Sequence, residues 1–236
     1  MKKFMVTAAV IAAALVIGVF AAACGGSGSE ELPDPTEGKT ASSGLAFTLS
    51  TELDAEAVAY ENDYTIEGDA YYVLSGIGTC TDTDIVVPSE YEGVPVKAIA
   101  DSAFFGNANI TSVVLPNSIE VIGALAFGRC TGMTSFNCGN GVRIIEHCAF
   151  GTAEKMTTFV FSERTEFIGW ECFHHAAALT TLNLPKSIKK IDYSIMNGVL
   201  FETVNYAGSE EEWKEVDVNS NNSELLGATY NYNAEF

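Results

Sequence analysis

The sequence predicts a mainly β solenoid, built from coils of about 23 residues with short parallel strands and short helical turns, and capped at both ends. One observation is that an isoleucine position and a phenylalanine position each recur at the same constant spacing. Another is a short alternation of inward and outward side chains within a coil, which is typical of a strand. A solenoid stacks each position over the same position of the previous coil, so parallel apolar columns indicate this architecture. The columns are Ile99, Ile122, Ile145, Ile168 and Ile191, and Phe104, Phe127, Phe150 and Phe173, which Met196 continues.

Composition limits the function classes. The chain has 236 residues, a formal charge of −19 and 47% hydrophobic residues. The apolar content is enough to build a core, which excludes a chain that is disordered throughout. The 12 basic residues are outnumbered by 31 acidic ones and form no cluster. Phosphates would be repelled, so no nucleic-acid partner is expected.

Residues 1–23 have the order of an export signal. Lys2 and Lys3 precede an uncharged apolar stretch, and small residues lead to Cys24. The segment resembles a bacterial lipoprotein signal, in which this cysteine is lipidated, although Ala21 stands where leucine is usual. The resemblance implies a lipid anchor at Cys24 and a body on the extracytoplasmic face of the cell membrane. An uncleaved membrane span and ordinary secretion are the alternatives.

Residues 24–44 are predicted to be a flexible tether. The segment has no aromatic residue and almost no large apolar one, so it cannot bury enough surface to offset the entropy of ordering. Residues 45–98 are predicted to form an N-terminal cap and a first long coil. Strands are expected at 46–49 and near 57–66 within that cap.

Residues 99–204 are the predicted repeats. In the first of them, Val113 and Leu115 alternate inward and Pro116 ends the strand. Ile119 and Ile122 form a second short apolar edge. The segment 123–128 then contains an Ala-Phe pair and is expected to form a tight or helical turn.

The repeat resembles a known family. The pattern Leu-x-x-Leu-x-Leu-Pro-x-Ser-Ile-x-x-Ile at residues 179–191 is similar to the BspA-like leucine-rich repeats of bacterial surface lipoproteins (Treponema pallidum type). The resemblance covers about residues 71–232. Two coils depart from it, because Gly139 and Ser162 replace the proline, and Val142 and Thr165 replace the next isoleucine. These coils are expected to be looser or differently turned.

Residues 205–236 are the predicted C-terminal cap. Val204 falls one position short of the Leu182 column, so the period breaks there. Ser209 and Glu212 fit a capping box that opens a short helix. Trp213 would then close the end of the core, because a solenoid needs covered ends.

The cysteines are expected to be structural. Besides Cys24 there are five, and an odd number in an exported protein cannot all pair. Cys138 and Cys172 fall in inward columns and are expected to act as small buried apolar residues. Their spacings do not make a CxxC metal site, while a disulfide between adjacent coils stays open. The other three are Cys80, Cys130 and Cys148.

No catalytic, cofactor or metal site is predicted. His147, His174 and His175 lie in turns without metal-ligand spacing. Asp82 and Asp84 lack the rest of a calcium loop. Phosphate-binding loops, dinucleotide fingerprints and nucleophile elbows do not occur in the sequence.

The outward positions of the strands form the predicted binding face. These side chains are small, mostly polar and uncharged, and a rigid repeated sheet of this kind suits a protein partner, although a merely solvated sheet is the alternative. Trp170, Tyr193 and Phe105 lie outside the columns and are expected either to anchor a partner or to pack on a neighbouring coil. The face consists of Ser112, Val114, Ser135, Asn137, Thr158, Val160, Thr181 and Asn183.

The resemblance implies a non-enzymatic surface lipoprotein that uses its repeats for adhesion or protein interaction, with a host surface or matrix protein as one kind of partner. An extracytoplasmic module that binds glycans or other nutrients is the second hypothesis, and an exposed aromatic cluster would favour it. A small hydrolase is the third, and it requires a convergent Ser/His/acid or Cys/His group.

Overall fold

The computed structural model describes residues 32–51, 64–66, 70–197 and 201–236. The predicted signal peptide, Cys24 and residues 57–63 of the second predicted cap strand lie outside these ranges. Residues 64–66 are not part of a strand. Within the described ranges, no helix has the length and apolar character needed to cross a membrane.

Most coils contribute two short strands. The described strands are β1 (Ala46–Thr51), β2 (Ala70–Gly76), β3 (Asp84–Val86), β4 (Glu90–Tyr91), β5 (Val94–Ile99), β6 (Ser112–Val114), β7 (Val121–Ile122), β8 (Ser135–Asn137), β9 (Ile144–Ile145), β10 (Thr158–Val160), β11 (Phe167–Ile168), β12 (Thr181–Leu184), β13 (Lys190–Ile191), β14 (Thr203–Tyr206), β15 (Asp217–Val218) and β16 (Thr229–Tyr232). Two short helices, α1 (Glu210–Lys214) and α2 (Ser223–Leu226), follow β14 and β15.

Equivalent strands of successive coils pair in parallel. One sheet has the order β1-β2-β5-β7-β9-β11-β13-β15, with β1 antiparallel to β2, and β4 pairs with β5. The opposite side of the coils carries the sheets β3-β6-β8-β10 and β12-β14-β16. Val113 pairs with Phe136 and Phe136 with Phe159, so the register advances by one full repeat per coil. The predicted mainly β solenoid is confirmed.

The predicted columns form one continuous core. The five isoleucines of the first column are at most 1% exposed, and the phenylalanines of the second are at most 1% exposed. The rings of the second column stack in parallel, with centroids 5.0 Å apart for Phe104–Phe127, 5.5 Å for Phe127–Phe150 and 5.7 Å for Phe150–Phe173. No coil could bury such a ladder by itself, so each coil depends on its neighbours.

The turn that carries the phenylalanine is tight rather than helical. Its backbone makes isolated i→i+3 hydrogen bonds, such as Gly128 N–H to the Leu125 carbonyl at 2.9 Å. It also bonds to the next coil, since Phe127 N–H donates to the Ala149 carbonyl at 2.8 Å. The turns therefore add a third ladder of coil-to-coil hydrogen bonds.

The predicted tether differs from expectation in its C-terminal part, because residues 32–44 lie against the solenoid. The Asn117 N–H donates to Asp34 Oδ2 at 2.8 Å, and Asn117 Nδ2 donates to the Leu32 carbonyl at 3.0 Å. Further along, Ser42 N–H donates to the Val86 carbonyl at 2.9 Å, and Val86 N–H donates to Ser42 Oγ at 3.1 Å. Hydrogen bonds to distant turns hold this segment, and its low apolar content does not reveal them.

The predicted boundary between residues 204 and 205 falls inside β14. Val204 pairs with Leu182 and then with Tyr230, so the strands keep their register while the coils change in length. The predicted capping box is present within this region, with Glu212 N–H donating to Ser209 Oγ at 3.1 Å. Trp213 is 9% exposed and packs on Tyr206 of β14 and on Tyr230 of β16.

Candidate interaction surface

The predicted binding face is a set of aligned side chains on β6, β8, β10 and β12. Ser112, Ser135 and Thr158 occupy one register, and Val114, Asn137 and Val160 occupy another. The residue between each pair is buried, whereas the face residues are half-buried or exposed. The eight predicted residues therefore point away from the core, and Val160 is 45% exposed. We call this set, with the extension described next, the strand face.

The strand face continues further than the constant spacing indicated. Thr181 pairs with Thr203 and Thr203 with Thr229, while the asparagines two positions later form a parallel row. In that row, Asn205 Nδ2 donates to Asn183 Oδ1 at 2.7 Å, and Asn231 Nδ2 donates to Asn205 Oδ1 at 2.8 Å. The repeated Thr-x-Asn triplet was the available signal. Because the coil length changes after Asn183, this triplet does not recur at the constant spacing.

The outer side of the other sheet is largely covered. Its outward row is Ala98, Val121, Ile144 and Phe167, each at most 4% exposed. Ile66 and Tyr71 pack on this row and form a second apolar cluster with it. The row is apolar and covered, whereas the strand face is polar and open, so the two described sheet faces differ in accessibility.

A ladder of alternating charge runs beside the covered row. Lys97 Nζ lies 3.1 Å from Glu120 Oε1, and Arg143 Nε donates to Glu166 Oε1 at 2.9 Å. Lys189 also contacts Glu166 from the next coil. The five residues occupy the same position of successive coils, so this charge ladder was visible in the sequence as a column of alternating sign. Because each charge faces one of opposite sign, the ladder fixes neighbouring coils in register.

Glu166 lies between two cations. Its burial raises the carboxyl pKa, but hydrogen bonds from Lys189 and Arg143 outweigh this and hold the pKa below its ordinary value of 4.5. A carboxyl whose pKa is lower in the folded state stabilises the fold above its unfolded pKa, and the contribution is lost as the pH falls through the folded pKa.

We expect Glu166→Gln to lower the free energy of unfolding by up to about 1 kcal/mol at neutral pH, because a partly exposed ion pair is screened by solvent. The difference from the parent should shrink as the pH falls from 4.5 through the lowered folded pKa of Glu166, where the parent carboxylate also becomes neutral. Urea unfolding of both chains at several pH values measures it. Glu163→Gln, an exposed change in the same coil, is the control. A difference that grows in acid would contradict the assignment.

Two of the three aromatic residues singled out in the sequence join a stack. His147, Trp170 and Tyr193 occupy the same position of three successive coils, with ring centroids 5.0 and 5.8 Å apart and nearly parallel planes. These rings therefore pack on neighbouring coils, which was one of the two expectations. Phe105 is separate, and its ring is 46% exposed beside the guanidinium of Arg129.

The cysteines do not resemble nucleophiles. All five described cysteines are free, and Cys138 and Cys172 are fully buried, as predicted for small core residues. Burial raises the pKa of the Cys148 thiol to about 11, and the nearby Glu171 carboxylate adds to the increase. Burial likewise raises the pKa of Cys130 to about 12. A thiol with a raised pKa carries little thiolate at neutral pH, which disfavours the Cys-based form of the hydrolase hypothesis.

The other polar candidates have structural contacts. Asp84 begins β3 on the edge of the strand face, where Thr111 Oγ1 and Ser112 Oγ donate to it at 2.7 and 2.6 Å. His147 and His174 are half-buried, and His175 is exposed. Among the residues that the structure describes, no group of three or more His, Cys, Asp or Glu side chains is placed to hold a metal ion.

Two solved structures resemble this chain, and the first of them, with a TM-score above 0.5, supports the fold. A leucine-rich repeat protein of T. pallidum aligns with a TM-score of 0.57 at 22% identity, over 77% of this chain and 81% of that one. A leucine-rich cell surface protein of Faecalibacterium prausnitzii aligns with a TM-score of 0.48 at 18% identity, over 88% of this chain and 56% of that one. No curated protein matches the chain.

The family model for the BspA-type leucine-rich repeat region matches residues 96–222 in six copies. That range is more than half of the 236 residues and contains the columns described above. Membership of this repeat family supports the interpretation of the chain as a protein-interaction module. The chain belongs to the BspA-type leucine-rich repeat family.

Proposed function

We propose that the protein is a non-enzymatic, lipid-anchored surface protein that binds a protein partner through its strand face, as in adhesion to a host surface or matrix protein. The observation that carries this proposal is the alignment of open, uncharged side chains in register over successive strands. Such an array places identical or similar groups at a regular spacing on a rigid support. A partner can bind it without ordering a flexible loop, which lowers the entropic cost of association.

The chemistry of the strand face favours a protein over a polyanion or a membrane. Hydroxyl and amide groups give both donors and acceptors, while Val114 and Val160 contribute apolar contact. The overall charge of −19 would repel anionic surfaces but leaves neutral or basic proteins free to approach. The mixture of polar groups and small apolar patches is that of an ordinary protein interface.

We expect Val160→Arg to weaken binding of the partner by about tenfold or more, which corresponds to about 1.4 kcal/mol. Arginine would add bulk and a buried charge at the centre of the interface, while an exposed site on the free protein tolerates it. The full chain, solubilised in detergent, is titrated against a panel of immobilised host surface and matrix proteins.

Ala177→Arg is the matched control, because it adds the same side chain at an exposed turn position of the next coil. A partner whose affinity falls equally in both variants would not use the strand face. Unchanged binding in Val160→Arg would contradict the proposal directly.

The proposed anchor is a diacylated Cys24. Its support is the order of the N-terminal sequence, with two lysines, an uncharged apolar stretch and small residues before the cysteine. From Cys24, a short stretch of chain leads to Leu32, the first described residue. The carbonyl of Leu32 accepts a hydrogen bond from Asn117 at the turn after β6.

We expect the parent to incorporate radiolabelled fatty acid during growth and Cys24→Ala to incorporate none, since the thiol is the attachment point. Gel autoradiography of the purified chains measures the label. Cys80→Ala, which removes a different and half-buried thiol, should label like the parent. Equal labelling of the parent and Cys24→Ala would reject lipidation at this residue.

A further inference from the structure

A shallow, open cavity of about 430 Å³ lies at the first turns of the solenoid, apart from the strand face. It is formed between Ile77 of the first long coil and the turn that follows Phe104. We propose that this cavity is a binding site for a neutral saccharide unit, with Phe105 as the stacking platform. The lining residues are Ile77, Ala103, Phe104, Phe105, Gly106, Asn107, Ala108 and Asn109.

Phe105 is held as a wall of the cavity. A Cβ at position 128 would lie 3.1 Å from Cδ2 of the Phe105 ring, so Gly128 allows the ring to lie against the next coil. The guanidinium of Arg129 lies 5.8 Å from the ring centroid. These contacts fix the ring while 46% of the side chain stays exposed. A large apolar side chain that is both fixed and open is the arrangement expected of a binding anchor.

The polar groups of the cavity are amides. Asn109 N–H donates to Asn107 Oδ1 at 3.2 Å, which orients the Asn107 side chain. Its amide nitrogen and the Asn109 side chain then supply hydrogen-bond donors and acceptors at the rim. A few placed polar groups around an apolar wall are what a small-molecule site usually contains, and the volume falls in the usual range for one.

The charge of the lining selects the ligand class. None of the lining residues that the structure describes carries a charge, although the chain has 31 acidic residues. Among these lining residues, an ionic ligand would find no opposite charge to offset the loss of its hydration. A sugar ring has an apolar C–H face for Phe105 and hydroxyl groups for the two amides, and it needs no charge partner.

Trp170, the middle ring of the stack with His147 and Tyr193, does not offer the same platform. The faces of Trp170 are occupied by His147 on one side and Tyr193 on the other. A sugar that stacks on an aromatic ring needs an open face. The exposed ring of Phe105 lies beside a cavity, whereas both faces of Trp170 are covered.

The test is saturation-transfer NMR, followed by titration, of the full chain in a detergent without a sugar headgroup. The probes are neutral disaccharides of glucose, galactose, mannose and N-acetylglucosamine, with sialyllactose as a charged comparison. We expect at least one neutral probe to bind, with transfer to the C–H groups of one ring face. Phe105→Ala should raise its Kd by about tenfold or more.

Tyr193→Ala is the matched control, because it removes another exposed aromatic ring away from the cavity and should leave the Kd unchanged. Asn109→Ala is a second, independent variant, which should also raise the Kd and remains informative if Phe105→Ala does not fold. The proposal is overturned if no neutral probe binds up to about 20 mM, or if Phe105→Ala binds like the parent. It is also overturned if Phe105→Ala instead loses a protein partner. Since Val160 lies on the strand face, Val160→Arg should not affect saccharide binding, and the two proposals can fail separately.

Discussion

Replacing Phe150 with alanine is expected to lower the free energy of unfolding by about 3 to 5 kcal/mol. The side chain is 0% exposed and lies at the centre of the phenylalanine column. Its ring stacks on Phe127 and Phe173 and meets Phe136 and Phe159 edge-on, with centroids 4.6 and 4.8 Å away. The cavity left behind cannot collapse easily, because the backbone on both sides is fixed by ladders of hydrogen bonds.

Chemical denaturation followed by circular dichroism measures this change. Phe236→Ala is the matched control, because its side chain is 63% exposed, and it should alter stability by less than about 0.5 kcal/mol. If Phe150→Ala were as stable as the parent, the stacked column would not be the core on which the coils depend.

The sequence was sufficient for the parts of the fold where the period is constant. The isoleucine and phenylalanine columns were predicted because each coil between Ile99 and Ile191 has the same length. The strand face followed from the same alignment, since alternate residues of a strand must point to opposite sides. Beyond Asn183 the coil length changes, and Asn205 and Asn231 escaped the prediction for this reason alone.

Other features depend on contacts between distant segments. The outward row Ala98, Val121, Ile144 and Phe167 is buried in a cluster with Ile66 and Tyr71, which pack on it from outside the row. The hydrogen bonds that hold residues 32–34 come from a turn far along the chain, at Asn117. Neither arrangement leaves a local pattern. The Phe105 cavity depends in the same way on where the irregular first coil places Ile77.

Of the two coils that depart from the family pattern, the one with Gly139 has a turn of different backbone geometry. Gly139 has a φ of 63°, in the left-handed region, and its N–H donates to Asn137 Oδ1 at 2.9 Å. A Cβ there would lie 2.7 Å from the Leu115 carbonyl oxygen of the previous coil. The coil is therefore differently turned, with the backbone closer to its neighbour. Proline is incompatible with this turn, so its absence does not indicate a loosened repeat.

We accordingly expect that restoring the family residue with Gly139→Pro lowers the free energy of unfolding by at least about 3 kcal/mol. Proline fixes φ at a negative value and has no N–H, so the turn would lose both its backbone conformation and its hydrogen bond to Asn137. Thermal and urea unfolding of the variant and the parent measure the loss. Substitution to the consensus residue of a family usually stabilises a protein, whereas we expect Gly139→Pro to destabilise this one.

Ser162→Pro is the matched comparison, because it restores proline at the same position one coil later, where φ is not in the left-handed region. It removes the Ser162 Oγ that accepts the Arg164 N–H at 3.1 Å, and the backbone hydrogen bond to the Cys138 thiol. Weak bonds of this kind cost about 0.5 to 1.5 kcal/mol, so Ser162→Pro should be clearly less harmful than Gly139→Pro. If the two substitutions had equal effects, the left-handed turn at Gly139 would not explain why this coil departs from the repeat. The stack of coils would then tolerate either turn geometry.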